Sequence, residues 1–504
     1  MSAVPIQPNY VSWLVDMIIP TILLAMVIAP AIVAIVGLVF HSAKLAEFVN
    51  LAASFVVFAC AVSLPFLVRH GFVFLNGYVG IEPLSAWVLV CTGTVYLLAS
   101  IYSVGYMRTL NEAERLPRFY MQFSLFALSM VLAPLMNVIG LYWIAIELTT
   151  VISTFLVGFE HAAEAIEAAW KYIMIVSAGI TLALLGTVLL YWDGSLTLGP
   201  TYNMTWSVMQ QAAPRLGHPV LMLAFLLLLI GYGTKVGLAP MHNWLPDAHS
   251  EGPAPVSCML SGALLNTAMI GIVRFLAISD AAGIGKYCHI ALVVLGVLSL
   301  LVAALFIARQ TGVKRLMAYS SIEHMGVIAL GFGFGGIFGV AGSLYHMINH
   351  SLNKSLMFFG AGNAMRAYGT KDIGKIRRFA KYFPAGAMIW IAGAISITGA
   401  PPFGLFVSEF TILRAGFGSI SAWAACAMLI LLIVIFVGFL NQFRRMYDEP
   451  VGENQPPTSK LSAWMTIPMV LAIVPLLVFG VYWPHSFWSY FQLIAAQLGV
   501  GAAG

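Results

Sequence analysis

Residues 226–257 read LLLLIGYGTKVGLAPMHNWLPDAHSEGPAPVS. The stretch begins as an apolar run of the kind that forms a membrane helix, and Lys235 then falls inside it. Pro240 follows five residues later, and a polar segment with His242, Asp247, His249 and Glu251 leads into the next apolar run. A lysine in hydrocarbon is strongly disfavoured, and a proline removes a backbone donor and breaks the helical ladder. A charge beside a helix break at membrane depth is by default a functional-site hypothesis.

The rest of the chain supplies the membrane that this reading needs. Of 504 residues, 61% are hydrophobic and only 9% are charged, too apolar for a soluble fold and expected of an all-α polytopic membrane protein. The N-terminus has no basic segment ahead of an apolar core, so no cleavable signal is expected. The net charge of +5 reflects loop lysines and arginines and does not point to nucleic acid. The five cysteines, Cys60, Cys91, Cys258, Cys288 and Cys426, form no CxxC pair. Thiolate-held metal clusters and a disulfide framework are therefore not expected. Neither a dinucleotide fingerprint, nor a phosphate-loop lysine motif, nor HExxH is present, so no cofactor or metal is assigned to this chain.

About 20 apolar residues cross a bilayer. On that measure 14 spans are expected, near 17–40, 45–68, 84–107, 119–138, 140–158, 169–192, 219–240, 254–278, 288–308, 314–335, 337–363, 384–416, 419–441 and 461–483. The run 384–416 is too long for one straight helix and contains Gly399, Pro401, Pro402 and Gly404; it is expected to break there. The seventh and twelfth spans thus share a glycine–proline interruption, five spans apart. An odd separation places the two in oppositely oriented units, which predicts two inverted five-helix repeats with discontinuous helices. The expected division is 1–118 for helices 1–3, 119–278 for the first half-channel repeat, 288–441 for the second, and 461–504 for helix 14 and the tail. The segment from Arg69 to Glu82, with Phe72, Phe74 and Tyr78, is expected to form a short hairpin. Seventeen lysines and arginines fall in odd-numbered loops and five in or beside even ones. The positive-inside rule then places both termini on the non-cytoplasmic side.

The ionisable residues at membrane depth are few. Glu147 lies in the fifth span and Lys235 in the seventh. Glu323, expected near the cytoplasmic end, and His324 lie in the tenth; His346, His350 and Lys354 lie in the eleventh, and Glu409 follows the break in the twelfth. Any one of these can be a structural residue bonded to a carbonyl, or an anchor reaching for the surface. The row His346, His350, Lys354 resists that reading, because residues four apart stack on one helix face with about 6 Å of rise between them. Proton transfer needs groups whose proton affinity is readily moved by burial and by neighbouring charge, and histidine and buried lysine are such groups. Sodium sites favour several oxygen ligands, whereas this row offers imidazole and ammonium.

Placed in order, these residues sit in strings that resemble the antiporter-like membrane subunits of respiratory complex I and its relatives: LYWIAIELTT (141–150), TKVGLAPMHNWLPDAHSEGPAPVS (234–257), QTGVKRLMAYSSIEHMG (310–326), HMINHSLNKSLMFFGAG (346–362) and GAPPFGLFVSEF (399–410). Within that group the ELTT context of Glu147, followed by VGFEHAAEAIEAAWKYI (157–173), is most similar to the antiporter-like subunits of membrane-bound group 4 nickel–iron hydrogenases of the hydrogenase-4 and formate hydrogenlyase type. The chain also ends soon after the fourteenth span, without the long lateral helix of the distal complex I subunit. The resemblance implies a prokaryotic inner (cell) membrane and partner membrane subunits. It also implies a peripheral hydrogenase- or dehydrogenase-like arm whose nickel–iron and iron–sulfur centres lie outside this chain.

The resemblance also implies roles. Glu147 and Lys235 resemble the family's Glu–Lys pair in the first half-channel. His324, His346, His350 and Lys354 resemble its central axis, and Glu409 resembles the terminal group of the second half-channel. Asp247 falls in the LPDAH string and is expected to be structural. The sequence departs from the pattern at Asn266, in SGALLNTAMIG (261–271), where several relatives have a lysine or histidine that bridges the halves. An amide cannot take up a proton as an amine does, so either the link from Lys235 to the central row needs water, His242 or His249, or the coupling is weaker here. Two other classes share these features: a subunit of a multi-subunit sodium/proton antiporter, and the membrane half of an inorganic-carbon uptake system.

Overall fold

In hydrocarbon every backbone N–H and C=O must find its partner within the chain, and a helix provides this for each apolar run. The computed structural model describes residues 10–110, 113–447 and 461–500. The first nine residues of the polar N-terminus and Lys460 lie outside them. The described residues begin with α1 (Tyr10–Val39) and α2 (Ala43–Leu67), then a hairpin of β1 (Phe72–Phe74) and β2 (Val79–Ile81). α3 (Pro83–Tyr106) follows, and the stretch expected to form the first repeat holds α4 (Leu116–Leu135), α5 (Ile139–Val157), α6 (Ala163–Leu198), α7 (Trp206–Ala212), α8 (His218–Val236), α9 (Trp244–Glu251), α10 (Ala254–Met259) and α11 (Leu265–Ala281). The stretch expected to form the second holds α12 (Gly285–Ile307), α13 (Val313–Phe334), α14 (Gly336–Tyr368), α15 (Phe379–Tyr382), α16 (Pro384–Ile397), α17 (Gly404–Phe417) and α18 (Ala422–Arg444). The chain closes with α19 (Ile467–Val481) and α20 (His485–Gln497).

Eleven helical stretches among the described residues are long and apolar enough to cross a membrane. The fold is that of an all-α, multi-pass membrane protein. The other three expected spans are also helical, but α13 and α14 are not among those eleven and α16 and α17 are 14 residues each. The reason is chemical: α13 and α14 hold Glu323, His324, His346, His350 and Lys354, and the twelfth run is divided by its glycine–proline break.

Both breaks fall where the sequence places them. α8 ends at Val236, with Gly237 in the left-handed region at φ +82°, and the chain resumes as α9. α16 ends at Ile397, Gly399 takes φ +65°, and α17 begins at Gly404. Each break contains a cis peptide, Ala239–Pro240 in one and Pro401–Pro402 in the other. The hairpin pairs Phe72 with Ile81 and Phe74 with Val79; Tyr78 lies outside both strands, after the turn made by Asn76 and Gly77.

Some boundaries differ from expectation. The connection 193–218 is not a loop throughout, since α6 runs on to Leu198 and α7 occupies Trp206–Ala212. The tail, too mixed in composition to assign, forms α20, which buries Tyr490, Phe491 and Ile494. The eighth span is joined through a π-helical turn, Leu260–Leu264, between α10 and α11. All of its residues from Ala254 to Ser279 are buried, as expected for a helix at the centre of a bundle.

Candidate functional site

α6 lies along α8, and α5 lies beside α6. This brings Lys235 of α8 against the hydroxyls of α5 and α6. Lys235 is fully buried and donates to Thr150 Oγ1 at 2.7 Å and to Tyr172 Oη at 3.0 Å, with its ammonium 5.3 Å from the Tyr172 ring centroid. Thr150 in turn donates to Glu147 Oε2 at 3.3 Å, and Ser177 donates to Glu147 Oε1 at 2.6 Å. Glu147 and Lys235 are therefore joined through one hydroxyl and not by a direct ion pair. Glu147 itself is half-buried, at the edge of the site. The hydroxyl of Tyr172 continues the chain to Ser153 at 2.7 Å.

The second cluster lies where α13, α14 and α17 meet. His324 Nδ1 and His346 Nε2 are 3.0 Å apart, and His346 Nδ1 lies 2.9 Å from Ser408 Oγ. The His350 ring lies 5.6 Å from that of His324, and neither of its nitrogens has a partner among the described residues. Lys354 donates to Met317 O at 3.2 Å and makes a short hydrogen bond to Ser320 Oγ. All four basic residues are fully buried. Glu409 is buried beside them, with Oε1 unpartnered. Gly399 leaves room for it: a Cβ there would meet Glu409 Oε2 at 1.9 Å. Glu323 is buried in the middle of α13, not near its end as the sequence suggested.

His324, His346 and Glu409 bring one donor atom each within 4.8 Å of one another. A metal could draw on these three, but structural zinc takes four protein ligands. Here His324 and His346 instead face each other at 3.0 Å, a spacing at which two imidazoles can share a proton.

Between the clusters, Asn266 is fully buried. Its amide nitrogen faces Ser351 Oγ at 3.0 Å, Gly262 O at 3.2 Å and Met347 O at 3.3 Å, and its oxygen has no partner among the described residues. It is tied to the backbone flanking the histidine row. His249, on α9, is fully buried with both ring nitrogens unpartnered, 5.1 Å from the Phe358 ring and 6.4 Å from Trp244. His242 turns instead toward Tyr319, 6.5 Å away. Asp247 pairs with Arg315 at 2.8 Å and Lys171 at 3.4 Å, a structural tie at a helix end. Sequence reasoning did not single out Thr150, Tyr172, Ser320 and Ser408. For three of them the signal was spacing: Thr150 lies three residues after Glu147, Ser320 four before His324, and Ser408 immediately before Glu409.

Residues 136–436 match the family described as NADH:quinone oxidoreductase/Mrp antiporter, transmembrane. The chain is 35% identical over 420 residues to the Hydrogenase-4 component F homolog of Methylacidiphilum infernorum (isolate V4), covering 82% of this chain and 87% of that protein. It is 29% identical over 343 residues to Hydrogenase-4 component B of Escherichia coli (strain K12), covering 65% of this chain and 49% of that longer protein. The fold also matches a chain of the membrane-bound sulfane sulfur reductase, an archaeal respiratory membrane complex. That match has a TM-score of 0.85 at 21% identity, over 95% of this chain and 97% of that one.

Proposed function

Because the chain belongs to the NADH:quinone oxidoreductase/Mrp antiporter transmembrane family, we propose that it is a proton-translocating subunit of a membrane-bound redox complex of the group 4 hydrogenase type. One observation carries the proposal: His324, His346, His350 and Lys354 form a continuous, fully buried basic cluster in contact with hydroxyls and a carboxyl, Glu409. Four basic groups buried side by side cannot all carry charge at once, which leaves sites along the row for a moving proton to occupy.

In this reading Glu147 exchanges protons with Lys235 through Thr150. Lys235 passes them toward the central row by way of His249, and Glu409 delivers or receives them at the second broken helix. Proton movement along the row follows electrostatic changes at its ends, driven by electron transfer in partner subunits that hold the nickel–iron and iron–sulfur centres. The two units, 119–278 and 288–441, act as inverted half-channels, with both termini on the non-cytoplasmic side of the cell membrane.

The test has two parts. Mass spectrometry of the complex purified through this chain should find hydrogenase subunits; a set of small antiporter subunits without them would overturn the redox assignment, and a soluble zinc protein in their place would favour carbon uptake. In proteoliposomes containing the complex, Lys354→Ala should abolish proton uptake driven by the redox reaction. Pumping at the wild-type level in that variant would remove Lys354 from the relay.

A further inference from the structure

Between α2, α3 and α19, over a floor of α14 and beside α20, lies a cavity of about 410 Å³. On the α2 side its lining includes Phe58, Val62, Phe66 and Arg69, which follow one another at helical spacing. From Phe58 to Arg69 the chain rises about 16 Å at helical pitch, which matches half of the roughly 30 Å hydrocarbon core of a bilayer. Proline inside a helix kinks it, and Pro65 of α2 and Pro475 of α19 both line the cavity.

The groove opens outward, where Phe66 is 70% and Leu471 47% exposed. Its floor is closed, since Leu98 of α3 and Ile348 and Leu352 of α14 are buried. Those two residues of α14 stand two positions to either side of His350, so they face away from the basic row. Water needs polar partners, and an apolar space of this size takes up apolar ligands instead.

Arg69 is the one charged residue of the lining, and it stands just past the end of α2. Tyr490 holds it there. The tyrosine hydroxyl donates to Val68 O at 3.2 Å and Pro83 O at 3.3 Å, and the Arg69 guanidinium lies 5.7 Å from the ring centroid. Glu82, the acidic residue closest to Arg69 in sequence, is paired with Arg274 at 2.7 Å. Among the described residues Arg69 makes no ion pair. A free anion would satisfy Arg69 and leave the groove unfilled, and a neutral apolar molecule would do the reverse.

We propose that this cavity binds one phospholipid, with its phosphate on Arg69 and one acyl chain laid along the groove to Leu98 and Leu352. The chain packs on the back of the helix that carries His346, His350 and Lys354. It also packs on Trp87, whose indole donates to Leu344 O of that helix at 2.9 Å. The lipid thereby braces α14 from the side opposite the basic row.

The test uses the whole complex in proteoliposomes doped with a phosphatidylglycerol that carries a diazirine at the end of one acyl chain. On illumination, label should appear at Leu98 and at Ile348 or Leu352, buried positions that lipid surrounding the protein does not reach. Near an anionic headgroup one cation is worth about fivefold in affinity. Arg69→Gln should therefore cut this labelling roughly fivefold relative to label at exposed Phe55, and Arg69→Lys should restore most of it. No label at the buried positions, or undiminished label in Arg69→Gln, would overturn the proposal. An isoprenoid quinone carrying the same diazirine should label these positions weakly; if it displaces the phospholipid label, and its own label is unchanged in Arg69→Gln, the site takes a neutral lipid and the proposal fails. A photo-crosslinker at position 66 should capture phospholipid, and capture of a neighbouring subunit instead would show the groove filled by protein and would also overturn it.

Discussion

Thr150→Val is the sharpest probe of the first unit, because the two side chains have nearly the same shape and differ by the hydroxyl that links two charged groups. Thr150 Oγ1 accepts from Lys235 at 2.7 Å and donates to Glu147 at 3.3 Å. The variant leaves no large cavity, and Lys235 keeps its bond to Tyr172 at 3.0 Å. What is lost is both hydrogen bonds of the hydroxyl, of which the shorter, from the Lys235 ammonium, is worth about 1.5–3 kcal/mol. If that bond lies on the transfer path, its loss raises the barrier by a similar amount and slows transfer roughly 10- to 150-fold. The assay is redox-driven proton uptake in proteoliposomes, with electron transfer measured in parallel. Electron transfer should become uncoupled from pumping or slow with it, and Thr150→Ser, which restores the hydroxyl, should recover most of the activity. Wild-type pumping in Thr150→Val would refute the hydroxyl bridge and would require Glu147 and Lys235 to exchange protons by another route.

Other substitutions test separate parts of the scheme. Lys235→Ala should abolish pumping in the same assay, and its retention would exclude that residue as a relay. His249→Phe should leave the unfolding temperature unchanged or higher, since it removes two unsatisfied buried nitrogens, yet it should suppress pumping; unimpaired pumping would favour a water path past Asn266. Asn266→Lys must place a longer side chain where Asn266 is fully buried, so about 1–3 kcal/mol of overpacking should lower the unfolding temperature. Stability at the wild-type level, with stronger coupling, would show that the bridge was limiting. Gly237→Ala forces φ +82° on a residue with a Cβ and brings that atom within 2.4 Å of Leu245 Cδ1. A loss of at least about 1–2 kcal/mol is expected in denaturant unfolding, and an unchanged midpoint would show that the break relaxes freely.

Much of the architecture was legible because membranes make charges and prolines conspicuous. Lys235, the His346–His350–Lys354 row and both glycine–proline breaks stand out against apolar neighbours, and the alternation in 72–81 was enough to expect a hairpin. The hydroxyls were not legible. Serine and threonine in membrane helices usually bond the carbonyl a turn back, as Thr154 does with Thr150 O and Ser355 with Ser351 O. Thr150 and Ser408 cannot be told from these until the packing of α5 against α6, and of α14 against α17, is known. The central position of Glu323 was misjudged for a related reason: the basic residues Lys314 and Arg315 suggested a nearby membrane surface. Lys314 is in fact buried and bonds Gly252 O, so the helix starts inside the protein.

The two breaks do more than interrupt helices. Had α8 continued straight past Lys235, the next residues would have moved along the same axis. The chain instead leaves α8 at Gly237 and restarts as α9, whose Trp244 donates to Thr234 O at 2.7 Å and packs against Tyr172 at 4.8 Å. That short helix carries His249 inward to the side of Phe358 on α14. The second break acts in the same sense: α17 starts after Pro402 and presents Ser408 to His346 and Glu409 to the imidazole pair. At each break the half-helix beyond it brings a polar group toward α14, in a direction a continuous helix could not reach. In the proposed relay, the proline that first marked the site as a defect in an apolar run would therefore allow a lateral path to form from helices that run across the membrane.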